Sequence, residues 1–403
     1  MANTYTIQFY DLLSRALGDA TPERLQGFLD EVMTEKYNRL QIDGFDFAAD
    51  MQLDFTYEQV QKEAKLHVMA QYVDVDAPAV PLGTEGISVS TGSIPRMKLV
   101  EYFNEDKIRK MMIMEQRFGA DSDRVRNSAF DKLFNTVDTL IGGHTNSLTY
   151  QRHQMISAGG VTLTSTNNPR GLQNITYSAS VPAANITTLT STARWWTQVS
   201  DGVYSTPGSA CNPVKDLRAI VTKAKNKGVR GHFEIDDAYA DQVLGHSAIQ
   251  TAIAAKLYPL ASGDALTSAK ASVAVMDNQE AFDALGKIVG APFKIIDSIV
   301  SVEKVVDGKL SRPTFRSFES NVIVFVPDGS LGEILTVEPI ALAGGTYGSF
   351  YEGRLLLTVD VDAVKKCQSF NTEMTSLVVP DTKPSTYTVG TTSLRAFINS
   401  FFR

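Results

Sequence analysis

The residues with the most chemical promise sit in one short run, His232-Phe-Glu234-Ile-Asp236-Asp237. On a β-strand, side chains alternate between faces, so His232, Glu234 and Asp236 would point the same way. One imidazole and two carboxylates on a shared face could hold a divalent ion and support a metal-dependent hydrolase. The run reads equally as a solvated strand edge leading into a helix capped at Asp236 or Asp237. Just upstream, Lys223, Lys225, Lys227 and Arg230 form a basic run that could contact phosphate. It also suits the last turn of a helix, where cations complement the macrodipole. His144 and His153 are nine residues apart, which on one helix places them on opposite faces and argues against a shared metal.

Other catalytic signatures are missing from the sequence. There is no GxxxxGK[ST] phosphate loop, and neither GKIVG nor GGTYG completes a GxGxxG. HExxH and GxSxG are absent as well. The two cysteines, Cys211 and Cys367, are far apart and fit no CxxC pattern, as expected of reduced thiols. Five histidines and two cysteines in 403 residues leave few nucleophile–base pairs, so the expectation is a chain that is not an enzyme and takes no cofactor and no metal. A net charge of −7 does not suit a dedicated nucleic-acid binder. No stretch approaches the roughly 18 apolar residues of a membrane span, and MANTYTIQFYDLLSR lacks the build of an export signal.

The elements around these residues have clearer patterns. Thr21-Pro22-Glu23 reads as a helix start, with Leu25, Phe28, Leu29 and Met33 at helical spacing behind it. Residues 66–103 read as a long β-hairpin with the Pro/Gly-rich tip DAPAVPLGTEG, whose Pro78, Pro81, Gly83 and Gly86 break both arms. An isolated two-stranded hairpin is marginal in water, so something outside it must support it. The strongest helix signal covers 122–158, where Leu133, Val137, Leu140, Ile141, His144 and Leu148 keep to the i, i+3, i+4 rule. Gly159-Gly160 supplies its stop. Gly142-Gly143 falls inside that helix, at a cost of about 1 kcal/mol each relative to alanine. The pair implies either close packing against a neighbour or a built-in bend.

Beyond the helix, GVTLTST and QNITYSAS suggest strands, and KDLRAIVTKAKNKG and DAYADQVLGHSAIQTAIAAKLY suggest helices. AFDALGKIVG is helical, whereas PFKIIDSIVSVEKVV, NVIVFVP, GRLLLTVDVD and TSLVVPD read as strands. The fold class is therefore α+β. Past the last strand, Leu394, Phe397, Ile398 and Phe401 repeat at helical spacing in a tail fit to contact a partner or to fold back on its own body.

The order of these segments resembles the HK97-like fold of tailed-phage major capsid proteins, and within that group the lambda-type family. Three stretches carry the resemblance: the hairpin with its return LVEYFNEDKI, the helix run RVRNSAFDKLFNTVDTLIGGHTNSLTYQRHQMISAGG, and the late strands NVIVFVPDGSLGEI and YEGRLLLTVDVD through TSLVVPD. The resemblance implies an N-terminal arm over 1–64 and an extended loop (E-loop) over 65–104. It further implies a peripheral domain over 105–259 with its spine helix, an axial domain over 260–340, a return to the peripheral domain over 341–390 and a C-terminal tail over 391–403. The arm is longer than the lambda type leads one to expect, and the tail TTSLRAFINSFFR is an addition to it.

The function so implied is self-assembly into hexamers and pentamers of an icosahedral head enclosing double-stranded DNA. Its partners would be further copies of the chain, a portal, a separate scaffolding protein, a decoration protein, and DNA held without sequence-specific contacts. The place would be the virion, assembled in the host bacterial cytoplasm, with no membrane involved. An encapsulin-type compartment and a phage tail or baseplate protein are the alternatives. The tip, Asp76 to Gly86, has no lysine, so no Lys–Asn isopeptide mesh is expected. Gly142-Gly143 is the candidate hinge for expansion of the shell, the hairpin tip the candidate inter-subunit contact, and Leu394, Phe397 and Phe401 the candidate tail contact.

Overall fold

Two helices follow one another early in the chain, α1 over Glu105–Phe118 and α2 over Asp123–Ser157. The second matches the helix predicted for 122–158, and Gly159, at φ 78°, ends it in the left-handed conformation that glycine adopts without strain. Helix α2 is helical through Gly142-Gly143. The computed structural model describes residues 42–61, 88–103, 105–118, 123–178, 186–189, 193, 195, 198–200, 203–204, 210–226, 228–307, 309–320, 322–340, 346–350, 352–362, 367–380 and 387–390. These residues form two compact units, one drawn from the stretches up to 57, 93–149 and 334–378, the other from 58–92, 150–333 and 379 onward.

The first unit is built on a six-stranded sheet. In spatial order its strands are Phe45–Phe47, Gly332–Val337, Cys367–Pro380, Leu355–Asp362 and Thr346–Phe350, with Arg96–Phe103 also paired to Cys367–Pro380. Arg96–Phe103, read from the sequence as the return arm of the hairpin, is thus a sheet strand antiparallel to Cys367–Pro380, with Leu99 opposite Thr372. Of the hairpin proper, Thr56–Gln61 pairs with Ser88–Ser93, so the pairing starts earlier than the alternation in the sequence suggests. Leu140, Ile141, His144 and Leu148 of α2 are buried, one helical stripe, as their spacing requires. His144 Nε2 lies 3.0 Å from Thr372 Oγ1, which fixes that stripe on the sheet.

The second unit carries a five-stranded sheet in the order Phe293–Ile296, Gly231–Asp236, Val322–Pro327, Tyr387–Gly390, Ile186–Thr188. Gly231–Asp236 runs parallel to Phe293–Ile296 and antiparallel to Val322–Pro327. A parallel pair needs a crossover. It is supplied here by four helices, α4 over Asp237–Leu244, α5 over Ser247–Leu257, α6 over Asp264–Ala274 and α7 over Asn278–Val289, after α3 over Pro213–Asn226. The stretch DAYADQVLGHSAIQTAIAAKLY is therefore two helices, because Gly245 caps the end of α4 and His246 the start of α5. Asp277 caps α7 by accepting from Gln279 N at 2.9 Å, and Gly290 ends it at φ 89°.

Aromatic rings join this sheet to its helices. Phe233 stacks on Phe293 at 4.8 Å and meets Phe325 edge-on at 5.3 Å, while Phe282 of α7 lies 5.0 Å from Phe293. Truncating such a buried phenylalanine to alanine typically costs about 3–5 kcal/mol. Trp195 is fully buried and donates its indole N–H to Asp216 Oδ2 at 2.9 Å.

Candidate functional site

The run singled out for metal binding forms the strand Gly231–Asp236, and the residues do alternate as a strand requires. The two carboxylates, however, face arginines. The Arg152 guanidinium in the last turns of α2 meets Glu234 with two hydrogen bonds, Nη1 to Oε2 at 2.8 Å and Nη2 to Oε1 at 2.5 Å. His232 stands between Glu234 Oε1 at 3.4 Å and Asp328 Oδ1 at 3.3 Å. Asp236 faces Arg316 at 3.2 Å, and the same guanidinium reaches Asp237 at 3.7 Å and Asp297 at 3.4 Å.

The electrostatics follow from these pairings. Burial pushes the Glu234 carboxyl up, but hydrogen bonds from His232 and Arg152, with their charges, outweigh it and hold the group down at about 2. The hydrogen bond to Glu234 leads the causes that raise the pKa of His232. Desolvation raises the pKa of Asp236 against the pull of Arg316. A metal would have to displace both arginines from their carboxylates, and no group of three His, Cys, Asp or Glu side chains with metal-holding geometry occurs among the described residues.

Two further pairs were separated in sequence and are brought together here. His153 Nδ1 lies 2.6 Å from Ser317 Oγ, so the two histidines of α2 have different partners. Cys211 Sγ lies 3.4 Å from His246 Nε2, a cysteine–histidine contact that sequence spacing gave no hint of. It is not an activated dyad. His246 Nδ1 accepts the N–H of Ala248 at 3.2 Å, which leaves Nε2 to carry the ring proton and direct it at sulfur. Burial raises the Cys211 thiol to about 11. In the basic run, Lys223 and Lys225 occupy the last turn of α3, the position the macrodipole reading expects.

Of the residues expected to serve assembly, Gly142 and Gly143 are described. A Cβ at Gly142 would meet open space, whereas one at Gly143 would overlap Leu99 Cδ1 of the strand beside it. Close approach to a neighbour thus accounts for one glycine of the pair. Ser147 Oγ donates to the Gly143 carbonyl at 3.0 Å and Thr145 Oγ1 to that of Ile141 at 3.3 Å, contacts that often bend helices. Pro78, Pro81, Gly83 and Gly86 of the hairpin tip, and Leu394, Phe397 and Phe401 of the tail, lie outside the described residues.

One surface feature was not anticipated. Lys304–Val306 and Lys309–Ser311 form a second, short hairpin with Val305 opposite Leu310. Every described residue from Glu303 to Thr314 is exposed. The turn signal Asp307-Gly308 was available, with Asp307 at φ 50°.

The described residues therefore define an α+β chain in which Glu234 and Asp236 are engaged by its own arginines. The family model for phage major capsid protein E matches residues 31–329, and the chain belongs to that family. It is a structural component of a phage capsid. Among solved structures the chain is similar to a phage-related protein from Bordetella bronchiseptica RB50, at 10% identity and TM-score 0.43, covering 94% of this chain and 95% of that one. It is also similar to the capsid of an empty GTA particle, at 12% identity and TM-score 0.42, covering 87% of each chain. The mature capsid of bacteriophage PhiM1 matches at 8% identity and TM-score 0.39, covering 87% of this chain and 86% of that one. No curated protein shows significant sequence similarity to the chain. Among the described residues no helix is long and apolar enough to cross a membrane.

Proposed function

We propose that copies of this chain build the hexamers and pentamers of an icosahedral, HK97-like phage head around double-stranded DNA. The observation that carries this reading is the match to the phage major capsid protein E family over residues 31–329. The role is mechanical, with no catalytic step and no cofactor. Arms and loops that cannot fold alone gain order by burial on neighbouring copies, which offsets their entropic cost.

In this reading the arm 1–64 and the E-loop 65–104 extend from the body, in whose sheet Phe45–Phe47 and Arg96–Phe103 are strands, and the tip with Pro78, Pro81, Gly83 and Gly86 reaches over a neighbouring subunit. Residues 105–259 and 341–390 form the peripheral domain, 260–340 the axial domain near capsomer centres, and Leu394, Phe397 and Phe401 of the tail contact a partner. Gly142-Gly143 bends as the shell expands, a role favoured by the two side-chain hydrogen bonds onto α2 carbonyls beside the pair. A net charge of −7 suits a container that holds DNA without sequence-specific contacts. A portal admits the DNA, a separate scaffolding protein guides closure in the host bacterial cytoplasm, and a decoration protein binds the finished shell.

Negative-stain microscopy with a nuclease-protection assay tests the reading. Closed shells of uniform diameter with protected DNA are expected when portal and packaging proteins are supplied. Rings or tubes would point to a tail or baseplate component, and shells holding protein cargo without DNA to an encapsulin-type compartment.

A further inference from the structure

Glu352 holds a backbone conformation that its side chain does not favour. It stands at φ 57°, with Gly353 at φ 89°, in the turn between the paired strands Thr346–Phe350 and Leu355–Asp362. Two consecutive left-handed residues make a tight hairpin turn that asparagine and glycine form at least cost, and a glutamate there is strained. Strain kept in a folded chain points to a contact that the strained residue makes. Here Glu352 Oε2 accepts from Arg354 Nη1 at 2.6 Å. The Glu352 side chain is 86% exposed, so this ion pair adds little to stability. Its effect falls on the arginine, whose side chain is 6% exposed.

Arg354 grips a segment far away in sequence. Its Nη2 donates to the Ala48 carbonyl at 2.7 Å, and its guanidinium carbon lies 5.1 Å from the centre of the Phe47 ring, within cation–π range. A Cβ at Gly353 would lie 3.6 Å from Met51 Cε, so Met51 rests on the same turn. Phe45–Phe47 ends the six-stranded sheet, and Leu355–Asp362 is three places along it. The two strands are not neighbours, so no ladder hydrogen bond joins them. A three-residue strand offers few ladder bonds of its own, and beyond it Ala48 N donates to Ile334 O at 3.1 Å and Gln52 N to Thr336 O at 3.0 Å. The fork of Arg354 adds a hold on this segment from another part of the sheet.

We propose that Glu352 and Arg354 form a clasp that fixes where the N-terminal arm leaves the sheet. Glu352 is a positioning residue: it takes one edge of the guanidinium, so that the other is aimed at Ala48. The clasp sets the direction of the arm more than the stability of the fold. An arm laid on a neighbouring copy pulls on its root, and a root free to turn would misplace everything ahead of it. The inference rests on the shell reading, in which the arm joins subunits, and adds to it the residues that aim the arm.

Glu352→Gly separates the two roles, because it removes the carboxylate and the strain together. Its thermal midpoint should equal or exceed that of the wild-type chain. In the unassembled chain the amides of Ala48 and Gln52 should nevertheless exchange about tenfold faster than in wild type, with those of Cys367–Pro380 unchanged. The yield of sedimenting particles should fall by about tenfold. Arg354→Met, which keeps an apolar stem beside Phe47, should reproduce the changes in exchange and yield. Wild-type exchange at Ala48 and Gln52 in both variants would overturn the clasp. Faster exchange with a wild-type yield of particles would overturn its role in assembly and leave the shell reading standing. A wild-type chain that forms no particles would remove the shell reading and the role in assembly with it, while the exchange rates would still decide whether the hold on Ala48 exists.

Discussion

Arg152 and Glu234 meet as a two-point ion pair on side chains that are 4% and 0% exposed. The pair joins the last turns of α2 to the strand Gly231–Asp236, which lies between Phe293–Ile296 and Val322–Pro327 in the second unit's sheet. Removing either partner leaves a buried charge without a counter-ion, a change that costs about 3–5 kcal/mol. Arg152→Met and Glu234→Leu should each lower the urea midpoint sharply. The double variant should recover much of the loss, since apolar groups of similar size can replace a buried pair. The Glu234 pKa is lowered from 4.5 to about 2. A carboxylate depressed on folding adds stability above its ordinary pKa and loses it as pH falls towards the folded value. The double variant should therefore lose less stability than wild type between pH 4.5 and 2. Equal losses would show that the pair does not couple folding to pH.

His144 gives a second acid-sensitive step, in the other unit. Burial holds its pKa down at about 4, from an ordinary 6.5, against a hydrogen bond with Thr372. The fold favours the neutral ring, so its contribution is complete above pH 6.5 and lost as pH falls to about 4. The shift corresponds to about 3 kcal/mol. His144→Gln, which keeps a polar group near Thr372 Oγ1 but does not titrate, should flatten the stability profile across that window. Denaturant unfolding at several pH values measures it, and a profile as steep as wild type would remove His144 from the account.

The two glycines of α2 should respond differently to alanine. Gly142→Ala adds a methyl to open space and should stabilise the helix by about 1 kcal/mol. Gly143→Ala puts a methyl onto Leu99 Cδ1, so the leucine must turn aside and the gain shrinks. In a Leu99→Ala background the two substitutions should become equivalent, as thermal unfolding would show. If Gly143 serves only close packing, Gly142→Ala alone should impair expansion of assembled particles as much as the double substitution does.

How much of this was legible before the structure depended on distance along the chain. The bounds of α2 were legible because its apolar stripe, its polar start and its terminal glycines are all local. The strand Gly231–Asp236 and its alternation were legible for the same reason. Its partners were not: Arg152 and Glu234 are 82 residues apart, and nothing local links them. Pairing of Arg96–Phe103 with Cys367–Pro380 is longer range still, and strand alternation reports faces without naming neighbours. Helix α6 was missed because it buries only Ala269 and Val273, too thin a stripe to read as periodic. Of the hairpin at Lys304–Ser311 only the first arm lay in the β-rich run ending at Val306, and the second was missed although Asp307-Gly308 offered a turn signal.

The contact between Cys211 and His246 has the composition of a nucleophile–base dyad but the wrong proton arrangement, and that difference can be measured. A base must accept from the thiol through Nε2. Here Nδ1 already accepts from Ala248 N, so the neutral ring carries its proton on Nε2. Burial lowers the His246 pKa and keeps the ring neutral. With the thiol raised from 9.0 to about 11, the thiolate population at pH 8 falls by about a hundredfold relative to an ordinary cysteine. In a Cys367→Ser background, Cys211 of the native chain should react with an aromatic disulfide reagent about a hundredfold more slowly than the urea-unfolded chain. His246→Ala should cost about 1 kcal/mol through loss of the α5 cap and should not slow the thiol further. A rapid native reaction that falls on His246→Ala would mean that the histidine activates the sulfur, and the reading of this pair as structural would be wrong.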